Sequence, residues 1–177
     1  MEEISSSIHI ASSFLRRCHN LTDLKLWQMI PEGGSIGQLI RTLASLKLTS
    51  LDVGGSDNES FGDSDVISIC EAQPSLTFLA VTGSDGINIT DAALAAMHKL
   101  HYLESLVLNY CLKKLTAPAL ETLVRENSQL RTVSIWRGAE WEEDPEVCHV
   151  DLQPGSDALR AIDELLRERG GKLEDDF

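Results

Sequence analysis

Basic side chains are scarce in this sequence: 15 Lys and Arg stand against 28 Asp and Glu in 177 residues, a formal net charge of -13. A chain this acidic repels phosphate backbones and anionic lipid, so neither nucleic acid nor a membrane surface is its expected partner. Long apolar runs are also missing, and nothing approaches the roughly 18 to 20 residues needed to span a bilayer. The opening MEEISSSIHI has no basic end followed by an apolar run, so no secretory signal or transit peptide is expected, and a cytoplasmic or nuclear location is. The four cysteines, Cys18, Cys70, Cys111 and Cys148, lie too far apart for a disulfide framework, and reduced thiols are expected. Sequons at Asn20, Asn58 and Asn88 carry little weight without a secretory route.

Chemical motifs are equally sparse. There is no phosphate-binding glycine loop, metalloprotease helix or nucleophile elbow; Gly33-Gly34, Gly54-Gly55 and Gly170-Gly171 are isolated pairs that read as turns or loops. His98 and His101 are not joined by cysteine or carboxylate at metal-binding spacing. Cys18-His19 and Cys148-His149 are sequence neighbours, which point in different directions on a regular element. The acidic run WEEDPE, Trp141 to Glu146, reads as a solvated loop. No catalytic residue, metal or cofactor is expected.

Leucine is abundant, with 26 residues, and its spacing is informative. The segments LTDLKL, LTSLDV, LTFLAV, LESLVL and LRTVSI begin at Leu21, Leu48, Leu76, Leu103 and Leu130, in steps of 27, 28, 27 and 27 residues. Each fits Leu-x-x-Leu-x-Leu with Val or Ile allowed. Side chains of a strand alternate faces, so the aliphatics at the fourth and sixth motif positions point into a shared core. Between the strands, SIGQLIRTLASL, SDVISICEAQ, TDAALAAMHKL and TAPALETLVREN carry apolar residues at helical spacing. Thr90 and Thr116 stand at N-cap positions, with Pro118 in a first turn where it costs nothing. Such strand–helix units bury their apolar faces only by stacking.

This pattern resembles the leucine-rich repeat, in particular the ribonuclease-inhibitor-like class found in F-box proteins. The fourth repeat, LESLVLNYCLKKLTAPALETL, places Cys111, Leu115, Thr116, Leu120 and Leu123 where that class has Cys, Ile, Thr, Leu and Leu. The third carries the same class's Ile-Thr-Asp at Ile89, Thr90 and Asp91 but has Ser84 at the cysteine position; the second departs further, with the polar loop GGSDNESFGDSD. The likeness covers about residues 8 to 136. It implies an α/β solenoid of about five repeats, with a curved parallel sheet on the concave side and helices on the convex side. Cys111 would then be a core residue.

Three regions follow. Residues 1–20 read as an N-terminal helical half-repeat or cap, with IHIASSFLRRCH resembling the helical half of a repeat whose strand is missing. Residues 21–136 hold the repeats. Residues 137–177 read as a C-terminal cap: an acidic loop, a short strand or hairpin containing Val147, Val150 and Leu152, an amphipathic helix over 157–169, and an acidic tail ending in EDDF. This last region holds 13 acidic and 5 basic side chains and so carries -8 of the -13.

The outward motif positions, third, fifth and seventh, define a candidate binding face. They are Asp23, Lys25 and Trp27; Ser50, Asp52 and Gly54; Phe78, Ala80 and Thr82; Ser105, Val107 and Asn109; and Thr132, Ser134 and Trp136, with Tyr110 following in its repeat. Trp27, Phe78, Tyr110 and Trp136 are four of nine aromatics, the residue type that dominates protein interfaces. Exposure is expected for Phe78, while Trp136 has either exposure or the C-terminal cap open to it. A monomer is expected, and the resemblance implies that it binds protein substrate on this face, while an F-box region outside these repeats engages a ubiquitin-ligase adaptor and cullin. The acidity keeps a second reading open: a stand-alone regulator, similar to ribonuclease inhibitor or leucine-rich GTPase-activating proteins, that clamps a basic enzyme or a small GTPase.

Overall fold

The computed structural model describes residues 15, 17–27, 39, 41, 44–54, 61–82, 89–109, 114–136, 152 and 155–176, apart from the side chains of Trp27 and Asp176. Six strands form one parallel sheet in sequence order: β1 (Asp23–Trp27), β2 (Ser50–Gly54), β3 (Phe78–Thr82), β4 (Ser105–Asn109), β5 (Thr132–Trp136) and β6 (Lys172–Asp176). Four helices alternate with them among the described residues: α1 (Asp63–Ala72), α2 (Asp91–Met97), α3 (Ala117–Glu126) and α4 (Asp157–Arg167). No helix among these residues is long and apolar enough to cross a membrane. Of the helix expected between β1 and β2, only Leu39 and Arg41 are described as helical; the expected first helix is represented by Leu15, and of Val147, Val150 and Leu152 only Leu152 lies among the described residues, where it is buried.

Equivalent motif positions stack without slippage. Asp23, Ser50, Phe78, Ser105 and Thr132 are successive register partners, so the single 28-residue step between Leu48 and Leu76 is absorbed outside the strands. Leu51, Val53, Leu79, Val81, Leu106, Leu108, Val133 and Ile135 point into one core with the apolar sides of the helices, all at 0% exposure. Burying each such side chain stabilises by roughly 1.5–3 kcal/mol. The helices therefore cover one face of the sheet and leave the third, fifth and seventh positions on the other.

The helices begin where their caps direct. Thr90 Oγ1 accepts from Ala92 N–H at 3.2 Å and Thr116 Oγ1 from Ala119 N–H at 3.4 Å, as expected at N-caps. A second role of these threonines follows from the residue after the cap one repeat earlier. Asp63 Oδ1 and Oδ2 accept the backbone N–H and hydroxyl of Thr90 at 2.7 and 2.6 Å, and Asp91 does the same for Thr116 at 2.8 Å in both bonds. Each carboxylate thus sits at its own helix's positive end and ties that helix to the next. Ala117 occupies the corresponding place in α3, and the series stops there.

The acidic tail expected after α4 is instead a strand. Gly170, at φ +72°, lets α4 end in a left-handed turn, with Gly170 N–H donating to Arg167 O and Gly171 N–H to Leu166 O. Lys172 N–H then donates to Arg131 O at 2.8 Å, and β6 pairs with β5 over five residues. An edge strand satisfies most of its needs through the backbone, so a single inward Leu173 between charged neighbours suffices. Arg169 reinforces the join: its guanidinium donates to Val124 O, Asn127 O and Arg125 O at 2.6, 2.9 and 3.1 Å, closing the C-terminus of α3.

Two substitutions test these joins. A Cβ on Gly171 would lie 1.9 Å from Arg131 O, so Gly171→Ala is expected to displace β6 and lower the unfolding free energy by about 2 kcal/mol or more in urea titrations. Asp91→Ala is expected to cost about 1–3 kcal/mol by leaving two donors of Thr116 without their acceptor. Exposed Lys99→Ala serves as the comparison, expected within about 0.5 kcal/mol of the parent.

Candidate binding face

The face turned away from the helices carries three rows. Asp23, Ser50, Phe78, Ser105, Thr132 and Lys172 form the first; Lys25, Asp52, Ala80, Val107, Ser134 and Glu174 the second; Trp27, Gly54, Thr82, Asn109, Trp136 and Asp176 the third. Parallel pairing makes each row a line of neighbours about 4.8 Å apart. The fifteen outward positions expected on β1 to β5 are all brought together here. Tyr110, Cys111, Cys148 and the run Trp141 to Glu146 lie outside the described residues.

Charge is confined to the two ends of the face. At one end Lys25 Nζ lies 3.3 Å from Asp52 Oδ2; the lysine side chain is 80% exposed and the aspartate side chain 9%. At the other end Lys172 pairs with Glu174 on the same strand. The centre is uncharged, with Ala80 buried and Phe78 and Val107 half-buried. Hydroxyls of Ser105, Thr132 and Ser134 surround it, and Asn109 Nδ2 donates to Thr82 Oγ1 at 3.4 Å. Phe78, for which exposure was expected, is half-buried. Trp136 has 42% of its surface exposed, so the described residues of the C-terminal cap leave it accessible.

Two features were not anticipated. Tyr102, 64% exposed, stands in the turn leading into β4; a lone aromatic one residue before a motif leucine has no periodic signal. Lys172 and Glu174 join the face through β6. Their signal was the alternation Lys-Leu-Glu at positions 172 to 174, obscured by the aspartates that follow.

Elsewhere two described cationic or imidazole side chains are tied to carboxylates of a neighbouring helix. His98 Nδ1 lies 2.6 Å from Glu126 Oε2, between neighbouring helices, and Lys99 Nζ lies 3.0 Å from Glu71 Oε1. Among the described residues, no group of three or more His, Cys, Asp and Glu side chains could hold a metal ion. Cys70 is a core residue of α1, and burial pushes its thiol up to about 12, against a minor lowering by Lys99. The chain matches no model of a known protein family and no curated protein.

The Cys70 environment has a measurable consequence. At pH 8 its thiolate is almost absent, so iodoacetamide is expected to label partly exposed Cys18 in the native chain while leaving Cys70 unmodified, as read by peptide mass spectrometry. Because this thiol's folded value is raised, its contribution to stability is complete below the unfolded value near 9.0 and is lost as pH rises towards about 12.

Proposed function

We propose that this chain is a leucine-rich repeat solenoid of the ribonuclease-inhibitor-like class and a non-enzymatic protein-recognition module. Its sheet forms the concave side, its helices the convex side, and its partner is a protein held across the face described above. Within that reading, the chain is the substrate-binding repeat region of an F-box-like ubiquitin-ligase subunit, in the cytoplasm or nucleus, with adaptor and cullin engaged through another region. One observation supports it above the others: fifteen outward motif positions lie in register on the face of the sheet opposite the described helices. A face with an uncharged centre and an exposed Trp136 suits peptide or folded protein.

The net charge of -13 favours one alternative, a stand-alone regulator binding a basic enzyme or small GTPase. The two readings differ in salt dependence. Exposed charge attraction is screened over about 8 Å at physiological ionic strength, so a regulator of a basic enzyme releases its partner as salt rises, whereas a contact centred on Phe78 and Val107 persists.

Affinity purification from cell extract tests both, with the parent chain beside a Phe78→Ala, Trp136→Ala variant and full-length gene product. Adaptor and cullin captured with the full-length product, together with further proteins lost from the variant, are the expected result. An anchor of this kind contributes about 2 kcal/mol or more, a loss of roughly 30-fold in affinity for one residue. Partners retained equally by both chains would remove the face from consideration, and a full-length product that captures no adaptor would end the ligase reading.

A further inference from the structure

Phe78 and Trp136 stand at opposite corners of one patch, the nine outward positions of β3 to β5. Phe78 takes the first row of β3 and Trp136 the third row of β5. Four residues of rise and two strand spacings set such corners about 16 Å apart. The other diagonal runs between them through Thr82, Val107 and Thr132, all half-buried. Each aromatic lies about 8 Å to one side of that line. Ala80, at 4% exposure, separates the line from Phe78, whereas Trp136 is 42% exposed on the other flank. Small side chains thus form the floor of an oblique trough with an aromatic on each side.

The patch is also neutral. None of its nine residues is Asp, Glu, Lys or Arg, although 24% of the chain is, so it differs in kind from the acidic remainder. The charges on the flanking strands are satisfied within the chain, Asp52 by Lys25 and Glu174 by Lys172. A charged group brought onto Val107 therefore loses water without meeting an unpaired opposite charge among the described residues of the patch. Neutral donors and acceptors are there instead. Asn109 Nδ2 donates to Thr82 Oγ1 at 3.4 Å, which leaves the threonine's own proton to donate outward. The hydroxyls of Thr132 and Ser134 can both donate and accept.

Resting on the reading of this face as a protein-recognition surface, we propose that the trough holds an extended, uncharged segment of the partner, about five residues long. It lies along the diagonal from Thr82 to Thr132, with Phe78 and Trp136 against its two flanks. An aliphatic side chain of the segment packs on Val107. Its backbone N–H and C=O groups meet the hydroxyls of the floor. These hydroxyls favour an extended chain over a helix, because a helix has already paired its backbone groups internally. Ser, Thr, Asn and Gln are accepted beside the aliphatic residue. Lys, Arg, Asp and Glu are rejected, since their desolvation is not repaid. Selection of this kind works by penalising the wrong segment as much as by attracting the right one.

Panning a phage-displayed library of random peptides on the immobilised chain tests this. The expected enrichment is an uncharged run of about five residues with an aliphatic centre. Its synthetic peptide is expected to bind the parent in calorimetry with an affinity unchanged from low to high salt, and several-fold more weakly to Phe78→Ala and to Trp136→Ala. Val107→Lys is expected to shift the enriched run to one containing Asp or Glu. Ser134→Lys, at a half-buried polar position, gives the same readout should Val107→Lys lose the parent's urea midpoint. Enrichment of basic residues on the parent overturns the neutral segment while leaving the recognition reading intact. No enriched run, a run unchanged by either lysine, or a peptide bound equally by the Phe78→Ala, Trp136→Ala variant also overturns it, and the captures from cell extract then judge the recognition reading separately.

Discussion

One carbonyl per repeat sets the register of this structure. The oxygens of Thr22, Thr49, Thr77 and Glu104 each accept from two successive N–H groups at the start of the next strand, at 2.8 to 3.0 Å. Pairs 27 or 28 residues apart are thereby fixed before any side chain is consulted. A slip of one residue would turn every buried Leu and Val outward and every outward residue inward. The aliphatic pattern enforces the same register from the other side, since eight inward side chains of β2 to β5 are completely buried. The threonine hydroxyls add to it locally, with Thr77 Oγ1 donating to Thr49 O at 3.0 Å.

What holds the helices to that frame is chemically different. Strand pairing is a backbone affair and tolerates any side chain at the second motif position, including Glu104 and Arg131. The helical layer has no such ladder. It relies on particular side chains: Asp63 and Asp91 reaching forward to the next cap, Gln73 Oε1 accepting Leu48 N–H at 3.2 Å, Asn127 Nδ2 donating to Leu100 O at 2.9 Å, and Arg169 closing α3. Buried polar groups of this type cost more when orphaned than they contribute when paired. The sequence is therefore constrained on the helix side at a few polar positions, and on the strands at the aliphatic ones. The outward positions carry less of this constraint, although Asp52 and Ala80 among them are buried and Asp52 is paired with Lys25.

This division explains what the sequence made legible. Strands β1 to β5, the caps at Thr90 and Thr116, and the membership of the outward rows were all readable, because each rests on a repeated pattern of residue type. The strand β6 was not, because edge pairing needs no pattern: Leu173 alone carries the apolar signal, and Gly171 is required by contact with the Arg131 carbonyl, 40 residues away in sequence. The Asp63–Thr90 and Asp91–Thr116 ties were likewise hidden, since a carboxylate at the first helical position reads as a favourable charge near the helix dipole with or without a partner. The exposure of individual face residues was the least legible feature. Phe78 and Trp136 occupy first-row and third-row positions of the same motif, yet Phe78 is half-buried and Trp136 exposed.

Under the proposed function, the C-terminal region would bear on recognition through this same geometry. As a free acidic tail, residues 172–176 would contribute only a diffuse field, screened within about 8 Å. Folded as β6, they place Glu174 at a defined position beside Ser134, one row from Trp136, with Lys172 beside Thr132. A charge fixed on a sheet beside an aromatic discriminates among partners by position, because a like charge on the partner's facing group is then repelled at contact distance rather than averaged over a mobile tail. In that reading the aromatic would contribute contact area and the fixed charges would reject misaligned partners. Folding of the last strand thus fixes part of the excess negative charge of residues 137–177 at defined places on the sheet, where, under the proposed function, it would help select which surface the face accepts and in which orientation.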